Sequence, residues 1–293
     1  MLGRGVFSVF TLCGLLLGTQ VYAEDRPTLR WLVWDQVPNY ILSGPFAGQG
    51  VAGLLTKALQ DQLPQYRHVN VASNAQRYRH LIQEEDVCVA WAWIVPGSRD
   101  YRVHSRPVSL APRTGIQVLK AKRPLFGPPG VSLSLEKLLA QPELRLGYLE
   151  GMSYSRRAQT LLEQHRGSHN VYPVFGSSVE YKLPMLDRGR VDYFLGFSAQ
   201  SIYDAEVQGV ENRYQFYNLD EMDLYTSMYS HCSNTPFGRE AMNSINLLLT
   251  DELLLEHLAK VERWYGENSD YREVFMQHVI AQTPHPLVTD PGQ

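Results

Sequence analysis

Twice along this chain a β-rich run gives way to an amphipathic helical run and then to another β-rich run. That alternation restricts the architecture more than any other feature. Residues 29–34 alternate and are β-rich, which predicts a first strand, followed by a loop from Asp35 to Tyr40. Gly48-Gln49-Gly50 leads into a helix with Val51, Leu54, Leu55, Ala58 and Leu59 on one face, stopped by Pro64. Residues 66–71 predict a second strand. Residues 74–84 predict a second helix with Tyr78, Leu81 and Ile82 inward, and 86–94 a continuous apolar strand. The order β-α-β-α-β implies a mostly parallel sheet with helices on its faces.

Residues 96–107 read as a basic, turn-rich loop, and 120–131 as a long surface connection rich in Pro and Gly. A second β/α unit begins near residue 112. Its strands are predicted at 115–119, 144–149, 171–174, 191–197, 214–218 and 224–231, and its helices at 133–140, 155–165, 180–188 and 198–208. From Gly238 helical patterning closes the chain, with helices at 243–250, 251–265 and 271–281. No internal repeat or low-complexity segment interrupts this order. The length suits two modest lobes or one large domain.

The amino terminus predicts export. Arg4 precedes an apolar run from Val6 to Leu17, and Val21-Tyr22-Ala23 offers small residues where a signal peptidase reads, so residues 1–23 read as a cleavable signal. The run falls short of the ~20 apolar residues of a membrane span. Cys13 follows Leu12 rather than a small residue, which is not a lipoprotein cleavage site. The rest reads as a periplasmic protein. Lys and Arg number 27 against 30 Asp and Glu, a net charge of −3 that gives no electrostatic case for nucleic acid or an anionic membrane.

Cys88 and Cys232 remain after the signal; an oxidising compartment permits them to pair, and two buried thiols are the alternative. Neither paired cysteines at metal-ligand spacing nor HExxH occurs, so no metal and no cofactor is expected.

The element order, with its local motifs, resembles the extracellular solute-binding proteins of family 3, the periplasmic amino-acid-binding type. Within them it is most similar to a branch marked by a Cys after the second helix and a later Cys232-Ser-Asn-Thr-Pro-Phe237-Gly-Arg239. The resemblance implies a two-lobed type II periplasmic-binding fold, each lobe a mixed, mostly parallel sheet flanked by helices, with a two-strand hinge and a ligand cleft. It places lobe 1 at 24–111 and 230–285, lobe 2 at 112–229, and a flexible tail at 286–293.

The family carries a ligand-packing aromatic after its first strand; the loop with Asp35, Pro38 and Tyr40 takes that place, and Gly50 matches a Gly before the first helix. An Arg that clamps the ligand's carboxylate is matched by Arg99, with Arg102 in reserve, in the run Pro96-Gly-Ser-Arg99-Asp-Tyr-Arg102-Val-His-Ser105-Arg-Pro107. A Gly-Ser or Gly-Thr helix start is matched by Gly151-Met152-Ser153, with Tyr154 beside it. Unpaired N–H groups and the dipole at a helix start suit an anion, and a guanidinium suits a carboxylate. One departure stands out. The strand after Gly189-Arg190-Val191-Asp192 ends at Phe197 without the acid that holds an α-ammonium in the family, so a carboxylate without the amine, an aromatic compound or a peptide fragment fits better than an ordinary amino acid.

Trp91 and Trp93 alternate on the third strand and share a face, either lining the cleft or filling the core. Arg99 is otherwise a solvated loop charge, Ser153 an ordinary helix cap, and Asp35 a loop-capping group. The expected function is capture of a small solute, as a monomer, for a membrane transporter or sensor. The alternative is an enzyme on the same fold, dehydratase-like or cell-wall-active. Against it, neither a Ser/His/Asp order, GxSxG nor a carboxylate pair occurs, although Glu150 stands beside the Gly-Ser motif.

Overall fold

The computed structural model describes residues 26–94, 100–111, 114–150, 152, 154–175, 178–210, 213–222, 225–266, 270–282 and 288–289. The expected signal at 1–23 lies outside them. Among the described residues, no helix is long and apolar enough to cross a membrane.

The first sheet is built from β1 (Thr28–Val33), β2 (Arg67–Ala72), β3 (Val87–Ala92), β4 (Arg102–Ala111) and, from far along the chain, β11 (Tyr225–Ser233) and β12 (Val288–Thr289). β1 pairs in parallel with β2 and β3, β11 runs antiparallel to β3, and β4 runs antiparallel to β11. β3 is buried over almost its whole length, which is why it reads as a continuous apolar run. Helices α1 (Val51–Asp61) and α2 (Ala75–Glu84) fall between the first three strands. α7 (Pro236–Leu248), α8 (Asp251–Val261) and α9 (Tyr271–Phe275) follow β11. One face of the sheet packs Trp31, Leu55, Leu59, Leu254, Trp264 and Phe275 into the larger core; the other packs Leu32, Leu81, Ile82 and Val87.

The second sheet has the order β6-β10-β5-β9-β7-β8. Its strands are β5 (Thr114–Leu119), β6 (Ser132–Leu133), β7 (Leu146–Leu149), β8 (Val171–Val174), β9 (Tyr193–Phe197) and β10 (Tyr214–Leu219). Its helices are α3 (Leu135–Leu139), α4 (Arg156–Gln164), α5 (Ser178–Asp187) and α6 (Ser198–Gln208). β7 is parallel to β8 and β9, β5 runs antiparallel to both β9 and β10, and β6 is parallel to β10. The chain passes between the sheets twice: from β4 into β5, and from β10 into β11, which is already paired with β4 at Thr226.

Four local findings differ from the sequence reading. β4 occupies much of the span read as a basic loop. Among the described residues it pairs only with β11, and an edge strand tolerates Pro107. Residues 120–125 of the expected connection form a 3-10 turn, Lys120–Leu125. α7 starts at Pro236, earlier than the periodicity marked, because the Thr235 side chain caps the Gly238 N–H and Pro236 takes the first helical position. Val288–Thr289, in the expected tail, pairs in parallel with β11.

The two sheets also meet through α6. Its Ala199 and Tyr203 belong to the larger core of the first sheet. Phe46, Tyr203 and Trp264 form an aromatic trio with ring centroids 5.4 to 6.1 Å apart. Arg263 lies over the Phe46 ring at 4.9 Å and pairs with Glu206 of α6 at 2.6 Å.

Candidate functional site

The loop after β1 is docked against the start of α1 by backbone hydrogen bonds. The N–H of Val51 donates to Pro38 O at 3.0 Å, and those of Ala52 and Gly53 donate to Asn39 O at 2.7 and 3.2 Å. These bonds satisfy helix-start donors that have no partner within the helix. The approach requires glycine at position 50, where a Cβ would sit 2.5 Å from Asn39 O. This anchorage fixes residues 36–39 at one side of a pocket between the sheets.

That pocket is lined by Gln36, Val37, Pro38 and Asn39 from the loop, Trp91 and Trp93 from the end of β3, and Ala111 from the end of β4. The second sheet's side contributes Met152, Phe197 and Gln200. It is narrow, a cavity of about 20 Å³. On the same measure one water needs roughly 10–15 Å³. No charged side chain is among these residues.

Two buried polar atoms in the lining have no hydrogen-bond partner: the indole Nε1 of Trp91, a donor, and the amide Oδ1 of Asn39, an acceptor. Trp91 is 4 % exposed and Asn39 7 %. Gln36 differs, because its amide oxygen accepts from the Trp34 indole at 2.7 Å.

The sequence-derived candidates distribute unevenly. Trp91 and Trp93 both line the pocket. Asp35 is exposed and is not among the lining residues; its charge, after burial and Asp204, helps raise the Tyr203 hydroxyl pKa. Tyr40 is a core residue behind the loop. It is stacked obliquely on Trp34 and bonded to the Thr56 hydroxyl at 3.3 Å, and burial pushes its hydroxyl up to about 12. Tyr154 lies behind the opposite wall, its hydroxyl accepting from Leu149 N at 3.2 Å and donating to Leu149 O at 3.4 Å. Arg99, Gly151 and Ser153 lie outside the described residues, though Met152 between the latter two reaches the pocket. Cys88 and Cys232 face each other across β3 and β11, with Cα atoms 4.1 Å apart, and are bonded.

Three acids are committed elsewhere. Glu150 accepts from Tyr148 at 2.8 Å and pairs with Arg166 at 2.9 Å; Arg166 first, then Tyr148, holds its carboxyl below the usual range. A general acid at neutral pH needs the opposite shift. For Asp192, burial opposes ionisation, but bonds from Arg145 and Lys122 outweigh it and keep the carboxyl low. Asp204, one turn beyond Gln200 on α6, is fully buried at 2.6 Å from Lys182 Nζ. Arg102, the reserve clamp, is 3 % exposed and donates to the Tyr78 hydroxyl, with no acid as partner among the described residues. The amides Gln36, Asn39 and Gln200 were not singled out from sequence. The one signal toward Gln200 is its place one turn after Phe197, the strand end that carries no acid.

No protein-family model matches the sequence, and a search of curated proteins finds no relative. Solved structures do match. The periplasmic VFT2 domain of Bordetella pertussis BvgS superposes with a TM-score of 0.56 at 14% identity, covering 82% of this chain and 94% of that one. The GluR0 ligand-binding core, solved with L-glutamate, gives 0.58 at 13% identity, covering 82% and 98%. An ancestral arginine-binding protein bound to arginine gives 0.57 at 17% identity, covering 82% and 99%. The chain therefore has the two-lobed type II periplasmic-binding, or Venus flytrap, fold. These neighbours are, by name, a periplasmic domain, a ligand-binding core and an amino-acid-binding protein.

Proposed function

We propose that this protein captures a small, carboxylate-bearing solute between its two lobes, as a monomer in an extracytoplasmic compartment. The observation that carries the proposal is the pocket itself, which draws residues from both sheets at the ends of β1, β3, β4 and β9. Strand ends in α/β layers are where ligands bind. In this reading the first sheet with α1, α2 and α7–α9 forms one lobe, the second sheet with α3–α6 the other, and the two crossings form the hinge. The narrow cavity corresponds to a shut arrangement, so a solute enters when the lobes part and selects closure through contacts with both sides. The aromatic trio and the Arg263–Glu206 pair add to the shut state.

Arg99, Gly151 and Ser153 are proposed to hold the carboxylate. The motif order supports this, as does the presence of Met152 in the lining. Delivery goes to an ABC-type transporter or a membrane sensor. The neighbours' names include both a substrate-binding protein of an amino acid ABC transporter and a BvgS periplasmic domain. Export fits the bonded cysteines. Catalysis is disfavoured by Glu150, whose lowered pKa and two partners leave it a poor proton donor.

Titration calorimetry and thermal shift on the exported chain with amino acids, aromatic acids, simple carboxylates and peptides test the reading. A ligand at a hundred times its dissociation constant adds about 2.7 kcal/mol of stability. Arg99→Ala is expected to abolish that gain with the fold intact; an unchanged affinity removes Arg99 from the site.

A further inference from the structure

The pocket's uncommitted groups describe the solute more narrowly, on the capture reading above. We propose that the part of the solute facing the first lobe is an acylated nitrogen, an amide N–H beside a C=O, rather than an ammonium.

Two of the residues that line the pocket from the first sheet carry a buried polar atom without a partner, the donor Trp91 Nε1 and the acceptor Asn39 Oδ1. Both are neutral. An amide brings one acceptor and one donor, so it satisfies both. An ammonium brings three donors and no acceptor, which leaves the Trp91 N–H unpaired. It also carries a charge that needs a carboxylate on entering a desolvated site. None of the described lining residues is acidic, and the nearest acid along α6, Asp204, is taken by Lys182. The flanking surfaces agree. Trp93 and Phe197 give flat apolar walls for a planar amide and its acyl carbon.

Both polar atoms stand on stiff supports. Trp91 belongs to β3, in the interior of the first sheet. Asn39 is tied at both ends of its backbone, its N–H donating to Gln36 O at 2.7 Å and its carbonyl accepting two N–H groups of α1. Buried polar atoms left unpaired are costly, so a rigid unpaired donor and acceptor on one wall mark a place that a partner fills.

Calorimetry with the L-amino acids, their N-acetyl derivatives, and the corresponding carboxylates lacking the nitrogen decides the matter. At least one N-acetyl amino acid is expected to bind ten-fold or more tighter than both its parent and the nitrogen-free acid. Trp91→Phe, which keeps the ring and deletes the donor, is expected to weaken the N-acetyl compound about ten-fold and the nitrogen-free acid less than two-fold. Asn39→Asp supplies a charge in place of the amide and is expected to shift preference toward the free amino acid, which keeps the test open if Trp91→Phe does not fold. Parents that bind as tightly as their N-acetyl derivatives overturn the amide assignment and leave capture standing. A chain that binds no carboxylate of any kind overturns both.

Discussion

Reducing the Cys88–Cys232 bond tests whether the first lobe depends on its late-arriving strand. The two cysteines are 144 residues apart and lie directly opposite on β3 and β11, both essentially unexposed. In the chain-entropy account a crosslink acts on the unfolded chain. A loop of this length costs it about 17 cal/mol/K, which is about 5 kcal/mol at 25 °C. Urea unfolding with and without a reductant, followed by far-UV circular dichroism, measures the difference. The reduced protein keeps both sulfur atoms in the core, so its loss reports the crosslink rather than packing. At about 2 °C per kcal/mol for a chain of this size, the melting temperature is expected to fall by roughly 10 °C. A reduced protein within about 1 kcal/mol of the oxidised one refutes the reasoning. It would mean that the β3–β11–β4 pairing already restricts the unfolded chain, or that the crosslink strains the folded one.

Three further outcomes follow from buried groups. Lys182→Met strips the buried Asp204 of its cationic partner and is expected to cost about 3–5 kcal/mol in denaturant unfolding; replacing both, with Asp204→Leu, is expected to recover most of the loss. His257 is buried and held neutral, its pKa pushed down to about 4 by burial first and then Lys260. Its unfolded form takes up a proton near pH 6.5, so stability is lost as pH falls from about 6.5 to 4, by about 3 kcal/mol. His257→Gln is expected to flatten that slope in pH-dependent melts, and an unchanged slope refutes it. Gly50→Ala places a methyl 2.5 Å from Asn39 O, so it is expected to shift the 36–39 loop and weaken solute binding ten-fold or more by calorimetry, with the melting temperature little changed.

Much of this fold is legible in sequence because its strands are buried and its helices one-sided. The run Val87–Ala92 and the stripe Val51, Leu55, Leu59 announce β3 and α1 without tertiary help. β4 does not announce itself, because its polar side chains reach partners far away in sequence: Arg106 reaches Asp251 and the carbonyls of Val279 and Ile280, and one nitrogen of Arg102 reaches Tyr78. The site divides the same way. The alternation of Trp91 and Trp93 shows in the sequence, whereas Gln36, Asn39 and Gln200 become pocket residues only through the turn clamped on α1 and the meeting of two sheets. Tyr40 misleads by adjacency: the aromatic goes into the core and Asn39 faces the pocket.

The strands of the second sheet, β5 to β10, all fall between β4 and β11 of the first, after Ala111 and before Tyr225. While the ribosome synthesises the stretch between them, on the order of 10 s at typical rates, β4 has no strand to pair with and β3 shows an open apolar edge. The first lobe is thus begun first and finished last. During that interval the nascent chain is exposed to edge-to-edge association, and a holding chaperone would find its binding surface at β3.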